Sequence, residues 1–142
     1  MQRCPCCHAR LNDAPQCRRC GADLSAARQT EQQARLWLAL SVQALRRDAP
    51  ELAARAVNRA LSYRKTRPAR LWQAFLERQF YDALYQNIQQ QRWPKARVFL
   101  TSLQRLNGTD QGALRRFQEL IDSVTDTRPS AVTGDIGQTS PH

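Results

Sequence analysis

The amino-acid sequence predicts a mainly α-helical protein with a small metal-binding segment, about five antiparallel helices and a disordered C-terminal tail. All five cysteines lie within the first 20 residues, which sets residues 1–24 apart. Residues 25–124 are rich in Leu, Ala, Gln and Arg and contain only two glycines. They show no alternation of apolar and polar residues, so strands are expected only in the first segment. Residues 125–142 have no large apolar residues except Val132 and Ile136, which predicts disorder.

The chain is strongly basic, with 22 Lys and Arg against 12 Asp and Glu and a formal net charge of +10. Such a charge is typical of proteins that bind nucleic acid or anionic membranes. However, the arginines are spread from Arg3 to Arg128, so the charge reflects composition as much as a binding surface. The most apolar run, residues 36–40, is far shorter than the roughly 20 residues that span a bilayer, and no membrane association is expected.

Two C-x2-C pairs, Cys4 with Cys7 and Cys17 with Cys20, are separated by nine residues. Each pair places two thiolates side by side, and two pairs complete the tetrahedron that zinc adopts in structural sites. Residues 1–24 are too few to bury a sufficient core, and segments of this size usually need a metal or disulfides. We therefore expect one structural Zn²⁺ bound by these four cysteines. The fourth cysteine closes the site, which excludes an open catalytic position.

The cellular compartment and the residues next to the four cysteines also affect the prediction of a zinc site. The N-terminus carries cysteines where a secretory signal would be apolar, so we expect a cytoplasmic protein, in which disulfides are disfavoured. The alternative is a set of free or oxidised thiols. Cys6 is a surplus thiol that could exchange with Cys7, and His8 is a weaker candidate ligand. Gly21 permits the positive φ that such loops often need.

The first 24 residues also resemble the short zinc ribbons of prokaryotic proteins, which have the pattern C-P-x-C…C-x-x-C-G-A-x-L. The matching residues are Cys4, Pro5, Cys7, Cys17, Cys20, Gly21, Ala22 and Leu24. The resemblance implies a closed four-cysteine site on a small β-hairpin scaffold. It implies no specific function, because such ribbons occur in adaptors, enzymes and nucleic-acid-binding proteins.

Prolines and cap residues divide the helical part. Ser25 is the expected N-cap of the first helix, residues 48–51 form an expected capping box before the second, and Asn107-Gly108 is an expected C-terminal cap. The first expected helix runs from Ser25 to about Arg47, and the capping box opens a second that ends near Tyr63. Pro68 lies in the first turn of a third that ends near Gln91, Pro94 opens a fourth that stops at Asn107-Gly108, and Thr109 or Asp110 starts a fifth that ends near Val124. The third helix has apolar residues on two sides, including Leu71, Phe75 and Phe80, which predicts packing between two neighbours.

The spacing in residues 37–61 resembles a tetratricopeptide-type repeat. The matching residues are Trp37, Leu40, Ser41 and Ala44 in the first helix, and Ala53, Val57, Ala60 and Leu61 in the second. A weaker second copy uses Phe80, Ala83, Ala96, Leu100 and Leu103. The offset from Ala53 to Ala96 is 43 residues, whereas the family's repeat is 34. The alternative is another antiparallel helical bundle with the same core.

The sequence favours binding over catalysis. His8 and His142 are the only histidines, and there is no Gly-rich phosphate loop or carboxylate pair in an apolar setting. We therefore expect an adaptor that binds a protein partner and has no small-molecule substrate. The tetratricopeptide resemblance implies a partner surface on the first helix of each pair, formed by Arg35, Leu38, Val42, Arg78, Tyr81 and Tyr85. Alternatively, the ribbon or the fifth helix covers Leu38 and Val42.

A nucleic-acid-binding accessory protein is the second functional hypothesis. It would use the zinc ribbon and the basic loop 63–70, whose cations are Arg64, Lys65, Arg67 and Arg70. Single-strand binders usually add aromatic residues for base stacking, and this loop offers only Tyr63. The two hypotheses differ in salt dependence, because phosphate binding weakens steeply as salt rises.

Overall fold

The computed structural model describes residues 2–12 and 14–126. It is mainly helical, with a cysteine cluster at the N-terminus, and its helices agree with the predicted ones to within a few residues. They are α1 (Ser25–Arg46), α2 (Pro50–Tyr63), α3 (Arg67–Gln89), α4 (Trp93–Arg105) and α5 (Gln111–Asp126). Helix α5 extends two residues into the segment predicted as a tail. The rest of that segment, residues 127–142, lies outside the described residues.

The helices form two hairpins and a final single helix. Helix α1 packs along α2, and α3 packs along α4. Helix α2 also contacts α3 and α4, which joins the hairpins, and α5 packs on α4. The fully buried core includes four alanines of α2, at positions 53, 54, 56 and 60, and these small side chains let the neighbouring helices approach closely.

Two predicted N-terminal caps are wrong. Leu24, not Ser25, occupies the N-cap of α1, and Asp23 Oδ1 accepts hydrogen bonds from the Ser25 N–H (2.9 Å) and hydroxyl (2.6 Å). The expected capping box before α2 does not form, because Asp48 has a φ of 55° and Ala49 is the N-cap without a side-chain bond. Asp48 instead belongs to the turn that ends α1.

The two hairpins turn in the same way. Asp48 and Gln91 each adopt a left-handed conformation with a φ of 55°, and each follows the end of a helix. The same two backbone hydrogen bonds close each turn. In the first, Asp48 N–H donates to Leu45 O (3.1 Å) and Ala49 N–H to Ala44 O (2.9 Å). In the second, Gln91 N–H donates to Ile88 O (3.0 Å) and Arg92 N–H to Asn87 O (2.8 Å). This is the Schellman pattern, built twice without glycine. The turns are 43 residues apart, the same offset as between Ala53 and Ala96.

A buried hydroxyl connects three helices. The Ser41 hydroxyl on α1 donates to the Ala53 carbonyl on α2 at 2.7 Å. It also accepts a hydrogen bond from Trp72 Nε1 on α3 at 2.9 Å. Ser41 is fully buried, so water cannot replace either bond. Trp72 therefore holds the start of the second hairpin against the first.

Two apolar residues of α3 are less buried than the sequence predicts. Leu76, Phe80 and Leu84 lie in the core, whereas Leu71 is 61% exposed and Phe75 is 44% exposed. The Phe75 ring stacks on Trp72 with centroids 5.1 Å apart. The second apolar side of α3 is thus only partly covered, at Trp72, and the remainder forms an exposed surface.

Replacing Ser41 by Ala should lower the free energy of unfolding by about 1–3 kcal/mol, because it leaves the indole N–H of Trp72 without a partner. Urea unfolding followed by circular dichroism measures this. Ser62→Ala, which removes an exposed hydroxyl, is the control and should cost less than about 0.5 kcal/mol. Equal effects of the two substitutions would show that the buried hydroxyl does not connect the hairpins.

Replacing Gln91 by Gly should raise the free energy of unfolding by about 0.5–1 kcal/mol, since glycine adopts positive φ without steric strain. The same substitution at Gln79, an exposed residue inside α3, should lower it by about 1 kcal/mol. Denaturant midpoints of the two variants test the assignment. A stability loss at both positions would be inconsistent with a left-handed residue 91.

Candidate metal centre

The N-terminal segment consists of two similar halves, 13 residues apart. Cys4 to Leu11 and Cys17 to Leu24 both read C-x-x-C-x-A-x-L. Three backbone hydrogen bonds of the first half recur in the second. The N–H of the first cysteine donates to the alanine carbonyl (Cys4 to Ala9 and Cys17 to Ala22, both 2.9 Å), and its carbonyl accepts from the residue after the second cysteine (His8, 3.0 Å, and Gly21, 2.8 Å). The leucine N–H donates to the carbonyl of the residue two before the first cysteine (Leu11 to Gln2, 3.0 Å, and Leu24 to Pro15, 2.8 Å). The predicted positive φ of Gly21 is found, at 70°, and His8 takes the equivalent conformation at 56°.

Each half is a minimal hairpin around one cysteine pair. Arg3 forms an antiparallel bridge with Arg10, and Gln16 forms one with Asp23. Among the described residues, 2–12 and 14–126, no β-strand is longer than these single bridges. The two hairpins place their cysteine loops face to face.

The four predicted ligands come together. The sulfurs of Cys4, Cys7, Cys17 and Cys20 all lie within 4.8 Å of one another. Across the two halves, the Cys4 and Cys20 sulfurs are 3.7 Å apart and those of Cys7 and Cys17 are 3.6 Å apart. Four sulfurs at about 2.3 Å from a tetrahedral zinc would be about 3.8 Å apart. These separations exceed a disulfide bond, so no disulfide joins the four cysteines. The geometry therefore fits a metal ion held by four thiolates.

Two of the four predicted ligands also form most of the core of this segment. Cys4, Cys17 and Leu24 are at most 3% exposed and make up its buried cluster. Around them pack only small or partly buried side chains, among them Leu11 and Ala22. Three buried residues cannot order two dozen residues by apolar burial alone. The metal ion would supply most of the stabilisation here.

Backbone groups favour thiolates at two of the four positions. The Cys7 N–H lowers the pKa of the Cys4 thiol, and the N–H groups of Cys20 and Arg19 lower the pKa of Cys17 to about 6. At Cys20 the Ala22 N–H acts in the same direction, but the Cys7 sulfur, burial and the other two sulfurs together outweigh it and raise the pKa to about 12. Without a bound cation, repulsion among the sulfurs therefore disfavours ionisation of all four thiols. A bound dication removes that repulsion.

The two alternative ligands lie outside the cluster. Cys6 is exposed, and the charge on Cys4 raises the pKa of the Cys6 thiol. Neither Cys6 nor His8 belongs to the group of ligand atoms that converge. Among the described residues, those four cysteines are the only such group with three or more members.

The metal segment is anchored to the first helix. The Leu24 carbonyl accepts the Arg28 N–H at 2.9 Å, so the second half continues directly into α1. The Arg28 guanidinium reaches back and donates to the Asn12 carbonyl in the connection between the halves. The centre is thereby held at one end of the helical body.

The predicted partner residues fall into two groups. Arg35 and Leu38 line a cleft of about 250 Å³ with residues that include Pro68 at the start of α3, and Val42 is half-buried nearby on α1. By contrast, the Tyr85 ring meets Phe117 of α5 edge-on, at 5.3 Å.

The other two predicted residues of α3 differ in burial. Tyr81 packs against the core, and burial raises the pKa of its hydroxyl. Arg78 is exposed. Trp72 of α3 donates a hydrogen bond to Ser41 of α1, and it was not part of the predicted partner surface.

The basic loop is exposed but partly engaged. Arg64 forms an ion pair with Glu31 at 3.0 Å, and the Arg59 guanidinium lies 5.4 Å from the centre of the Tyr63 ring. The other three cations of the predicted phosphate surface are Lys65, Arg67 and Arg70. They are exposed and make no ion pair with any carboxylate in the described part of the chain.

Comparison of the chain with known protein families, with curated proteins and with solved structures gives no match. Among residues 2–12 and 14–126, no helix combines the length and apolar character needed to cross a bilayer. The sequence did contain one signal that the motif analysis missed. Ala9 and Leu11 repeat Ala22 and Leu24 at the cysteine offset, which reveals the two equivalent halves.

Replacing Cys4, Cys17 or Cys20 by Ser should remove the metal and unfold residues 2–24, because metal binding there contributes folding energy on the order of 10 kcal/mol. Metal content by mass spectrometry and amide NMR signals of this segment measure the two effects. Cys6→Ser is the matched control and should keep both. Ordered NMR signals from this segment in metal-free protein would contradict the assignment.

Proposed function

We propose that the chain is a non-enzymatic, cytoplasmic adaptor whose four-cysteine site binds zinc as a structural ion and whose helical surface binds a protein partner. Four thiolates in a tetrahedron are the ligand set that zinc prefers in structural sites. A site closed by four protein ligands has no position for a substrate. We therefore assign a structural role to the zinc and the partner-binding role to the helices.

The observation that carries the binding role is the exposed apolar surface where α1 meets the start of α3. Leu71 and Phe75 stand one turn apart on α3 and are 61% and 44% exposed. Single exposed apolar residues are common on soluble proteins, whereas neighbouring ones are typical of interaction sites. The stacking of Phe75 on Trp72, and the bond from Trp72 to Ser41, hold this surface in place.

Helix α1 also carries apolar side chains that are not fully buried. Leu38 and Val42 flank Ser41 on either side and remain partly exposed. The cleft beside Leu38 is lined by Arg35, which offers a cation at its edge although it also pairs with Glu31 at 3.1 Å. An apolar surface with an arginine at its rim suits a partner segment that carries apolar side chains and a carboxylate. In this proposal Arg78, Tyr81 and Tyr85 form a second patch beside α5.

Nucleic-acid binding is the alternative function, and the exposure of Lys65, Arg67 and Arg70 favours it. The cation–ring contact of Arg59 occupies Tyr63, the aromatic residue nearest to these cations in sequence. The basic loop thus offers charge for phosphate contacts but little aromatic surface for base stacking. Protein binding through the apolar surface is therefore the function we prefer.

The pair Leu71→Ser and Phe75→Ser should reduce capture of partner proteins by the metal-loaded chain at least about tenfold, because it removes the exposed apolar side chains. Affinity purification followed by quantitative mass spectrometry measures capture. The matched control is the pair Leu36→Ser and Leu40→Ser on α1, at 56% and 40% exposure, which should leave capture unchanged.

Two results would contradict this function. Equal loss of capture in both pairs would show that general surface apolarity, not the α1–α3 surface, binds partners. Micromolar RNA or single-stranded DNA binding at physiological salt, lost when Lys65, Arg67 and Arg70 become Gln, would favour the alternative.

A further inference from the structure

A second cavity, away from the metal centre and the α1–α3 surface, has the features of a binding site. It has a volume of about 560 Å³ and opens where the α1–α2 turn, the end of α3 and the start of α4 meet. This size is typical of sites that bind small molecules or a few peptide side chains. None of its lining residues belongs to the surface proposed above, so the inference does not rest on that function.

Part of the cavity lining is apolar and packs against the core. Pro50 is buried in the first turn of α2, and Phe99 is half-buried and packs near Phe80 of the core, with ring centroids 6.0 Å apart. Val98 is 40% exposed beside it. An apolar side chain of a ligand could therefore be buried here without rearrangement of the protein.

One rim of the cavity is cationic. Arg92 and Lys95 line it at the beginning of α4, and neither forms an ion pair with a carboxylate of the described residues. The first turn of α4 contains no acidic residue and has no side-chain cap, so the positive end of the helix adds to their field. This rim is complementary to a carboxylate.

The other polar lining residues have a different character. Asp48, on the left-handed residue of the α1–α2 turn, is the one acidic residue that lines the cavity. It would repel a ligand carboxylate and so restrict that group to the α4 side. Gln86 and Gln90 stand one turn apart on α3, with exposed amide groups that can pair with a peptide backbone.

The spacing along α4 restricts the ligand further. Lys95 precedes Val98 and Phe99 by three and four residues, which places them about 4.5–6 Å apart along the helix axis. An extended peptide rises about 3.3 Å per residue. A carboxylate at Lys95 and an apolar side chain over Phe99 would thus belong to residues one or two apart.

We propose that this cavity binds a short extended peptide segment of a partner protein, in which a carboxylate lies one or two residues from an apolar side chain. The carboxylate would contact Arg92 and Lys95, the apolar side chain would cover Phe99 and Val98, and the glutamine amides would pair with the peptide backbone. The carboxylate can come from an acidic side chain or from a peptide C-terminus.

The test uses the full metal-loaded chain and three N-acetylated peptide probes measured by isothermal titration calorimetry. The first is Gly-Asp-Leu-Leu-amide, the second has Asn in place of Asp, and the third is Gly-Asn-Leu-Leu with a free C-terminus. We expect saturable binding of the first or third probe and at least about tenfold weaker binding of the second, since it lacks a carboxylate. Which carboxylate probe binds identifies the source of the charge.

Variants locate the site. The pair Arg92→Gln and Lys95→Gln should weaken binding about tenfold, whereas Asp48→Asn should strengthen it about twofold to fivefold, because it removes the repulsion. Asn tolerates the left-handed conformation of residue 48, so this variant should keep its fold. The matched control is the pair Lys65→Gln and Arg67→Gln, which removes the same charge elsewhere and should change affinity less than about twofold.

Three results would overturn the proposal. The first is the absence of saturable binding by both carboxylate probes. The second is an equal loss of affinity in the control pair, which would show attraction by the net charge alone. The third is self-association in sedimentation experiments that disappears in the Arg92 and Lys95 variant, which would assign the cavity to a second copy of the chain.

Discussion

The convergence of four thiol sulfurs within 4.8 Å is the constraint on which the N-terminal segment depends. Few other side chains of this segment are buried, so the two halves meet chiefly through their cysteines. The backbone is already arranged for charge, because N–H groups in each loop lower the pKa of Cys4 and of Cys17. A bound cation would offset the repulsion among its sulfurs. A tetrahedral metal ion satisfies the geometry and the charge together.

The helical body obeys a different constraint, which is close packing of small side chains. The alanines of α2 allow its neighbours to approach, and Ser41 uses that closeness to join α1, α2 and α3 through one hydroxyl. Trp72 is held there by its N–H, so its ring supports Phe75 at the surface. The buried hydrogen bond between Trp72 and Ser41 therefore positions the exposed ring of Phe75. This connection relates the stability of the hairpins to the surface that we propose for partner binding.

The sequence predicted the parts of the structure that depend on local chemistry. Cysteine spacing identified the four residues whose sulfurs lie close enough to hold a metal ion, and prolines placed the starts of α2, α3 and α4 near their observed positions. The 43-residue offset between Ala53 and Ala96 reappears in the two equivalent hairpin turns. The membership of these hairpins in a tetratricopeptide-type family, and the identity of the metal as zinc, stay predictions.

The errors arose where tertiary contacts decide. Asp48 was expected to cap α2, but the Schellman turn after α1 places it in a left-handed conformation instead. Periodicity marked Leu71 and Phe75 as apolar positions of a helix with two packed sides, yet it cannot show that none of the described helices covers them. The bond between Trp72 and Ser41 joins residues 31 apart, and no local pattern predicts such a contact.

X-ray absorption at the metal edge of the purified, metal-loaded protein tests the central claim most directly. If two equivalent hairpins hold a structural zinc, the zinc-edge spectrum should fit four sulfur ligands at about 2.3 Å, with no nitrogen or oxygen neighbour. The Cys6→Ser variant should give the same spectrum, since Cys6 lies outside the cluster. A shell that contains nitrogen or oxygen, or fewer than four sulfurs, would contradict a closed four-thiolate centre.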